Sequence, residues 1–194
     1  MRIGIVQRVY WRILRSIGLE RVSWDRQFRA GVWHRDARSP NTIRQVAKLC
    51  AGGLLVEFGC GEGDLPYSLP SGSFAEYVGY DISAVAIQRA RQRAAELGRT
   101  DVRYEQCDMA QWQGGISASL ILLEECLYYL APGPMEEFLS RCGDGLAPGG
   151  FILVVIHSAS KHARTLEVCR RTCRVIDQAT IGTRVYLTLG AKND

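Results

Sequence analysis

The chain has 194 residues, of which 47% are hydrophobic and 23% charged. That describes one domain long enough to bury a full core. No run of 18 apolar residues occurs, so the sequence offers no membrane-spanning helix. The net charge of +4 is uneven. Residues 1–50 hold eleven Lys and Arg against three Asp and Glu, whereas the remainder holds 13 against 17. A basic segment therefore precedes a mildly acidic domain. The opening MRIGIVQRVYWRIL carries Arg throughout its apolar part, unlike a signal peptide. Seven scattered cysteines without paired CxxC spacing argue against a disulfide framework or a metal site. They point to a reducing, cytoplasmic setting.

In chain order, residues 3–17 have helical periodicity. Ile3, Val6, Tyr10, Ile13, Leu14 and Ile17 share one face, and Arg8, Arg12 and Arg15 lie opposite. Such a helix packs on the domain, touches an anionic membrane surface or lipid-linked substrate, or meets nucleic acid. Residues 23–36, SWDRQFRAGVWHRD, mix Trp24, Phe28 and Trp33 with Arg26, Arg29, His34 and Arg35 and have no clean period. They read as core packing under a cap or as a cover over a ligand. Ser39-Pro40 starts a helix with an N-cap and Pro at its first position. Ile43, Val46, Ala47 and Cys50 form its inner face, and Gly52-Gly53 stops it.

From there strands and helices alternate. LLVEF (54–58), YVGYD (77–81), VRYEQCD (102–108), SLILLEE (119–125) and FILVVIH (151–157) read as strands. Ser83 caps a helix with inner face Ile87, Ala90, Ala94 and Leu97, ended by Gly98. Another helix buries Met135, Phe138, Leu139, Cys142 and Leu146, and a short one covers roughly 160–170. CRVIDQAT and RVYLTLG flank Ile181-Gly182 as a closing hairpin. The pattern predicts a doubly wound, Rossmann-like α/β fold. Its sheet has seven mostly parallel strands with an antiparallel last strand. An N-terminal helical cap over 1–38 precedes the main domain over 39–194.

In such sheets ligands bind outside the carboxyl ends of the strands. There lies VEFGCGEGD, residues 56–64. Gly59, Gly61 and Gly63 allow unusual φ and close approach of a ligand. The dinucleotide fingerprint fails, because its last glycine position is Asp64, and no phosphate loop is present. Glu57, Glu62 and Asp64 surround the turn and would repel a pyrophosphate. A ligand with positive charge suits them.

An acid two positions before G-x-G-x-G resembles the first signature of class I S-adenosylmethionine (SAM)-dependent methyltransferases. Asp81 in GYDIS, Asp108 in QCDMA and LAPGG before the fifth strand match further markers of that family, in order. The resemblance runs from about residue 40 to the end. It implies SAM as cofactor. It implies contacts from Glu57, Gly59, Cys60, Gly61, Gly63 and Glu124, ribose recognition by Asp81, and adenine contacts from Ile82, Asp108 and Met109. The segment LLEECLYYL is similar to small-molecule and saccharide methyltransferases, including the nodulation N-methyltransferase group, and aligns Glu125 with their acid. Ser119 departs from the family's usual aspartate at the start of that strand. The [ND]-P-P-[YF] signature of nucleic-acid enzymes is absent.

The expected function is methyl transfer to oxygen or nitrogen of a small-molecule or saccharide acceptor, in polysaccharide or natural-product biosynthesis. Glu125 and His157, at the ends of the fourth and fifth strands, are the candidate catalytic residues. No metal is expected. Trp24, Phe28, Arg29, Trp33 and Tyr128 are the candidate lid and acceptor contacts, with Arg26, Arg29 and Arg35 suited to an acidic or lipid-linked acceptor. Two alternatives stand: a SAM-binding module that transfers nothing, and a nucleic-acid methyltransferase using the basic arm.

Overall fold

The computed structural model describes residues 19–33 and 38–192. The helix expected over 3–17, with its membrane contact, lies outside the described residues. So do His34 and Arg35.

Helix α1 spans Glu20–Arg29 and α2 spans Pro40–Cys50. Then follow β1 (Leu54–Phe58), a short α3 (Leu65–Ser68), β2 (Glu76–Asp81), α4 (Ala84–Glu96), β3 (Val102–Gln106) and β4 (Ala118–Glu124). The chain continues through α5 (Pro132–Asp144), β5 (Leu146–His157), α6 (Ala163–Thr172), β6 (Arg174–Ile181) and β7 (Arg184–Gly190). The strand order is β3-β2-β1-β4-β5-β7-β6. Strands β1 to β5 pair in parallel, and β7 runs antiparallel between β5 and β6.

Side chains alternate across a strand, and that alternation builds two cores. Val56, Phe58, Ile121 and Leu123 face α5 and α6, where they meet Phe138, Leu139 and Cys169. Leu55, Leu120 and Leu122 face α2 and α4, where they meet Val46, Ile87 and Ala90. The four central residues of β4, Leu120 to Leu123, are fully buried. Each contributes roughly 1.5–3 kcal/mol of burial, so the middle of the sheet is held from both sides.

Several details differ from expectation. Strand β3 ends at Gln106 because Asp108 leaves it to cap a single 3-10 turn, accepting the Ala110 N–H at 2.9 Å. Strand β5 begins earlier, at Leu146, because the LAPGG turn joins it through a register shift opposite β4. Ser39 makes no side-chain cap, because its hydroxyl turns to the Tyr186 hydroxyl at 3.3 Å. The Ser83 cap forms as expected and accepts the Ala86 N–H.

Candidate active site

The carboxyl ends of β1, β2 and β4 open into one cavity of about 490 Å³. The glycine turn forms its floor. Gly59 and Cys60 both donate N–H groups to the Tyr80 carbonyl, at 2.8 and 3.0 Å. Gly61 donates to Asp81 Oδ2 at 2.9 Å, and Ser83 donates to Asp81 Oδ1 at 2.8 Å. One carboxylate thus locks the turn after β1 to the start of α4. Burial raises the Asp81 carboxyl to about 6, against the pull of those two N–H groups. Gly59 sits at φ +71°, and a Cβ there would lie 2.8 Å from the Cys126 Cβ. Gly63 sits at φ +72°, but its constraint is packing: a Cβ would lie 2.4 Å from the Tyr104 ring.

Behind the turn the sheet creates an electrostatic problem. Alternation puts Glu57 on the same face as Leu55, and Glu124 on the same face as Leu122. The two strands are neighbours, so two like charges share one buried corner. Arg38, just before α2, resolves it. Its Nη2 donates to Glu57 Oε1 and its Nη1 to Glu124 Oε2, both at 2.5 Å. Glu57 also accepts the Tyr77 hydroxyl at 2.6 Å, and Glu124 accepts the Thr42 hydroxyl at 3.1 Å. Burial pushes the Glu57 carboxyl above its ordinary value, while Arg38 and Tyr77 pull it back. Burial opposes the Arg38 charge, but the two carboxylates outweigh it and keep the guanidinium protonated.

Helix α1 lies over the cavity. Glu20, Trp24 and Phe28, four residues apart, all line it. The helix is fastened by polar contacts. Asp25, buried in the interface, accepts the Ser83 hydroxyl at 2.7 Å and the Val85 N–H at 3.2 Å, capping α4 from outside. Arg89 of α4 donates to the Phe28 carbonyl at 2.9 Å and to Glu62 at 2.6 Å. The Trp33 indole N–H reaches Gln27 Oε1 at 3.2 Å.

The far end of the cavity holds Glu125. The chain leaves β4 there in the left-handed region, at φ +55°, which re-aims the side chain into the cleft. Its Oε2 accepts the Tyr128 hydroxyl at 2.9 Å, and its Oε1 accepts the backbone N–H of His157. Tyr128 stacks on His162, with centroids 3.9 Å apart.

Of the residues singled out from sequence, Gly59, Cys60, Gly61, Asp81, Ile82, Asp108, Met109 and Glu124 line this cavity, as do Glu125, Tyr128, Trp24, Phe28 and Trp33. Four do not. Glu57 is turned away, with its oxygens on Arg38 and Tyr77. Gly63 is spent on Tyr104. Arg29 is exposed on the outer side of α1. His157 points out of the cleft, its Nδ1 3.1 Å from the Thr183 hydroxyl, and only its backbone N–H reaches Glu125. Arg26 likewise does not line the cleft. Arg38 is the residue that sequence reading missed. A lone Arg before a helix carries no signal, although the same-face placement of Glu57 and Glu124 demanded a cation.

A parallel α/β domain with a glycine turn and acids at successive strand ends defines a nucleoside-ligand site of the class I methyltransferase kind. The family model described as "Methyltransferase domain" matches residues 56–152, half of the chain. The chain therefore belongs to that family and is a SAM-dependent methyltransferase. Among solved structures it is similar to the N-methyltransferase NodS from Bradyrhizobium japonicum WM9 in complex with S-adenosyl-L-homocysteine. That match has 17% identity and TM-score 0.68, over 86% of this chain and 97% of that one. It is similar to the O-methyltransferase NcsB1 from neocarzinostatin biosynthesis, at 17% identity and TM-score 0.67, over 94% of this chain but 61% of that one. The glycopeptide N-methyltransferase MtfA gives 14% identity and TM-score 0.67, over 82% and 89%. No sequence among the curated proteins matches the chain.

The cleft fits the cofactor. Asp81 has both oxygens oriented by backbone N–H groups, and an ionised carboxylate keeps further lone pairs for hydroxyl donors. Ile82 and Met109 offer an apolar slot, and the acidic lining complements a sulfonium.

Proposed function

We propose that the chain transfers a methyl group from SAM to oxygen or nitrogen of a small-molecule acceptor held between α1 and the segment 125–130. One observation carries this reading: the glycine turn with Asp81 and Asp108, and Glu125 among aromatic rings, open into the same cavity. Cofactor and acceptor ends are therefore continuous.

When bound, SAM supplies a methyl carbon activated by its sulfonium. The protein's own groups do the rest. Asp81 would accept hydrogen bonds from the ribose hydroxyls, and Ile82, Met109 and Asp108 would hold the adenine. The Arg38–Glu124 pair at the other end matches an amino acid, whose ammonium and carboxylate are complementary to a carboxylate and a guanidinium. Glu125 orients the acceptor and takes its proton, its oxygens fixed by Tyr128 and the His157 N–H. Phe28 and Trp24 exclude water from above.

Saccharide acceptors fall within this class. Of the Arg residues expected to hold an acidic or lipid-linked acceptor, Arg26 and Arg29 do not line the cavity, and Arg35 lies outside the described residues. Among the described residues no helix is long and apolar enough to cross a membrane. Peripheral contact through residues 1–18 is tested by liposome association of the intact chain and of a chain lacking them.

Calorimetric titration of S-adenosylhomocysteine into the intact chain and into Asp81→Ala, with NAD as control, tests the reading. Binding to the intact chain, weakened about tenfold or more in the variant and absent for NAD, supports it. No binding by the intact chain overturns it. A binding module without transfer is distinguished by Glu125→Gln, which leaves binding intact and has no turnover to lower.

A further inference from the structure

The acceptor end of the cavity is an aromatic ladder. Trp33 and Trp24 stand 5.7 Å apart at 40°, Trp24 and Tyr129 5.1 Å at 81°, and Tyr129 and Tyr128 4.8 Å at 54°. Tyr128 then stacks on His162 at 3.9 Å. Five rings from three separate segments form one continuous wall, and four of them line the cleft. The carboxylate of Glu125 is fixed against this wall by the Tyr128 hydroxyl.

Among the described residues, the charges nearby favour a cation. Arg38, a cation on the cavity lining, is paired with both Glu57 and Glu124 and is the group proposed for the carboxylate of SAM. His162 is held below its ordinary value by burial, with Lys161 beside it. An anion would meet aromatic rings and the Glu125 carboxylate. A cation within about 6 Å of a ring face is attracted by it, and more strongly where water is excluded.

We infer that the acceptor is a basic amine, docked as its cation on the Trp24–Tyr129–Tyr128 rings with its nitrogen on Glu125. This rests on the methyltransferase reading and specifies its substrate class. The bound ammonium gives one proton to the Glu125 carboxylate, which later releases it to solvent. The freed nitrogen lone pair forms the N–CH3 bond while the S–CH3 bond breaks. That bonding pair stays on sulfur, leaving S-adenosylhomocysteine with an uncharged sulfur and the N-methylated acceptor as its ammonium.

The test uses the intact chain saturated with S-adenosylhomocysteine. Choline and its neutral isostere 3,3-dimethylbutan-1-ol are titrated and followed by tryptophan fluorescence and calorimetry. The inference expects choline to bind roughly tenfold or more tighter than the isostere. It expects that preference to survive Trp24→Phe and to be lost in Trp24→Leu and in Glu125→Gln. Equal or tighter binding of the isostere overturns it, as does a choline preference unchanged in both loss variants. If S-adenosylhomocysteine itself does not bind, the methyltransferase site fails. If it binds and the choline preference is missing, only the amine inference fails.

Discussion

At the glycine-turn end of the cleft, the functional carboxylate is tied by the main chain. Asp81 accepts N–H groups from Gly61 and Ser83, and the turn itself hangs on the Tyr80 carbonyl. At the aromatic end, Glu125 is tied by one main-chain N–H and one phenol, and the rings around it come from α1, the segment after β4 and the loop before α6. Backbone ties allow little substitution without loss of the turn. Side-chain ties allow a new wall with each new side chain. A fold can thus keep one cofactor while changing its acceptor.

Arg38 is where the two ends share a support, and it should give the largest effect. Arg38→Ala leaves Glu57 buried without its cation, and breaking such a pair costs about 3–5 kcal/mol. Denaturant unfolding should register that loss. A cost under about 1 kcal/mol would mean that the corner is wetter than the geometry implies. Next comes Glu125→Gln, which should lower kcat about a hundredfold, within the range of a general base, with S-adenosylhomocysteine affinity unchanged. Equal losses in both would erase the distinction between the ends.

Asp81→Ala should act in the opposite sense, weakening S-adenosylhomocysteine about tenfold to a hundredfold by calorimetry, the equivalent of one or two lost charge-assisted hydrogen bonds. The same carboxylate sets a pH dependence. Its folded value of about 6 lies above the ordinary 3.8. The ligand-free fold is therefore favoured by protonation: this contribution is full below about pH 3.8 and is lost as pH rises through about 6. Ribose hydroxyls need the ionised form. Affinity should be level above about pH 7 and fall toward tenfold per unit below 6, while Asp81→Asn flattens the profile. The smallest effect belongs to His157→Ala. Its ring faces Thr183, and its tie to Glu125 is main chain, so kcat should change less than about threefold. This is the size of a surface substitution that removes no functional contact. A hundredfold loss would restore the imidazole as the base.

Much of the sheet was legible because strand burial has a period of two and its apolar runs are long. Val56, Phe58, Ile121 and Leu123 separate from Leu55, Leu120 and Leu122 by alternation alone. The glycine turn, Asp81 and Asp108 were legible because they follow strands directly, where local sequence sets position. Helix α1 was not legible. Its buried residues include Ser23, Asp25 and Gln27, so a search for apolar periodicity finds nothing. What they bury against is polar: the Ser83 hydroxyl, the amino end of α4 and the Trp33 indole.

By itself, then, the sequence determined the alternation of strands and helices, the closing hairpin and the acidic glycine turn, since each rests on contacts within a few residues or on a repeating period. Only the tertiary structure decided that Glu57 supports the site from behind, that Arg38 bridges two strands, and that His157 offers its backbone while His162 offers its ring. Those outcomes depend on which way a side chain leaves a strand end and on partners 19 to 86 residues distant along the chain, and no local pattern encodes such a meeting.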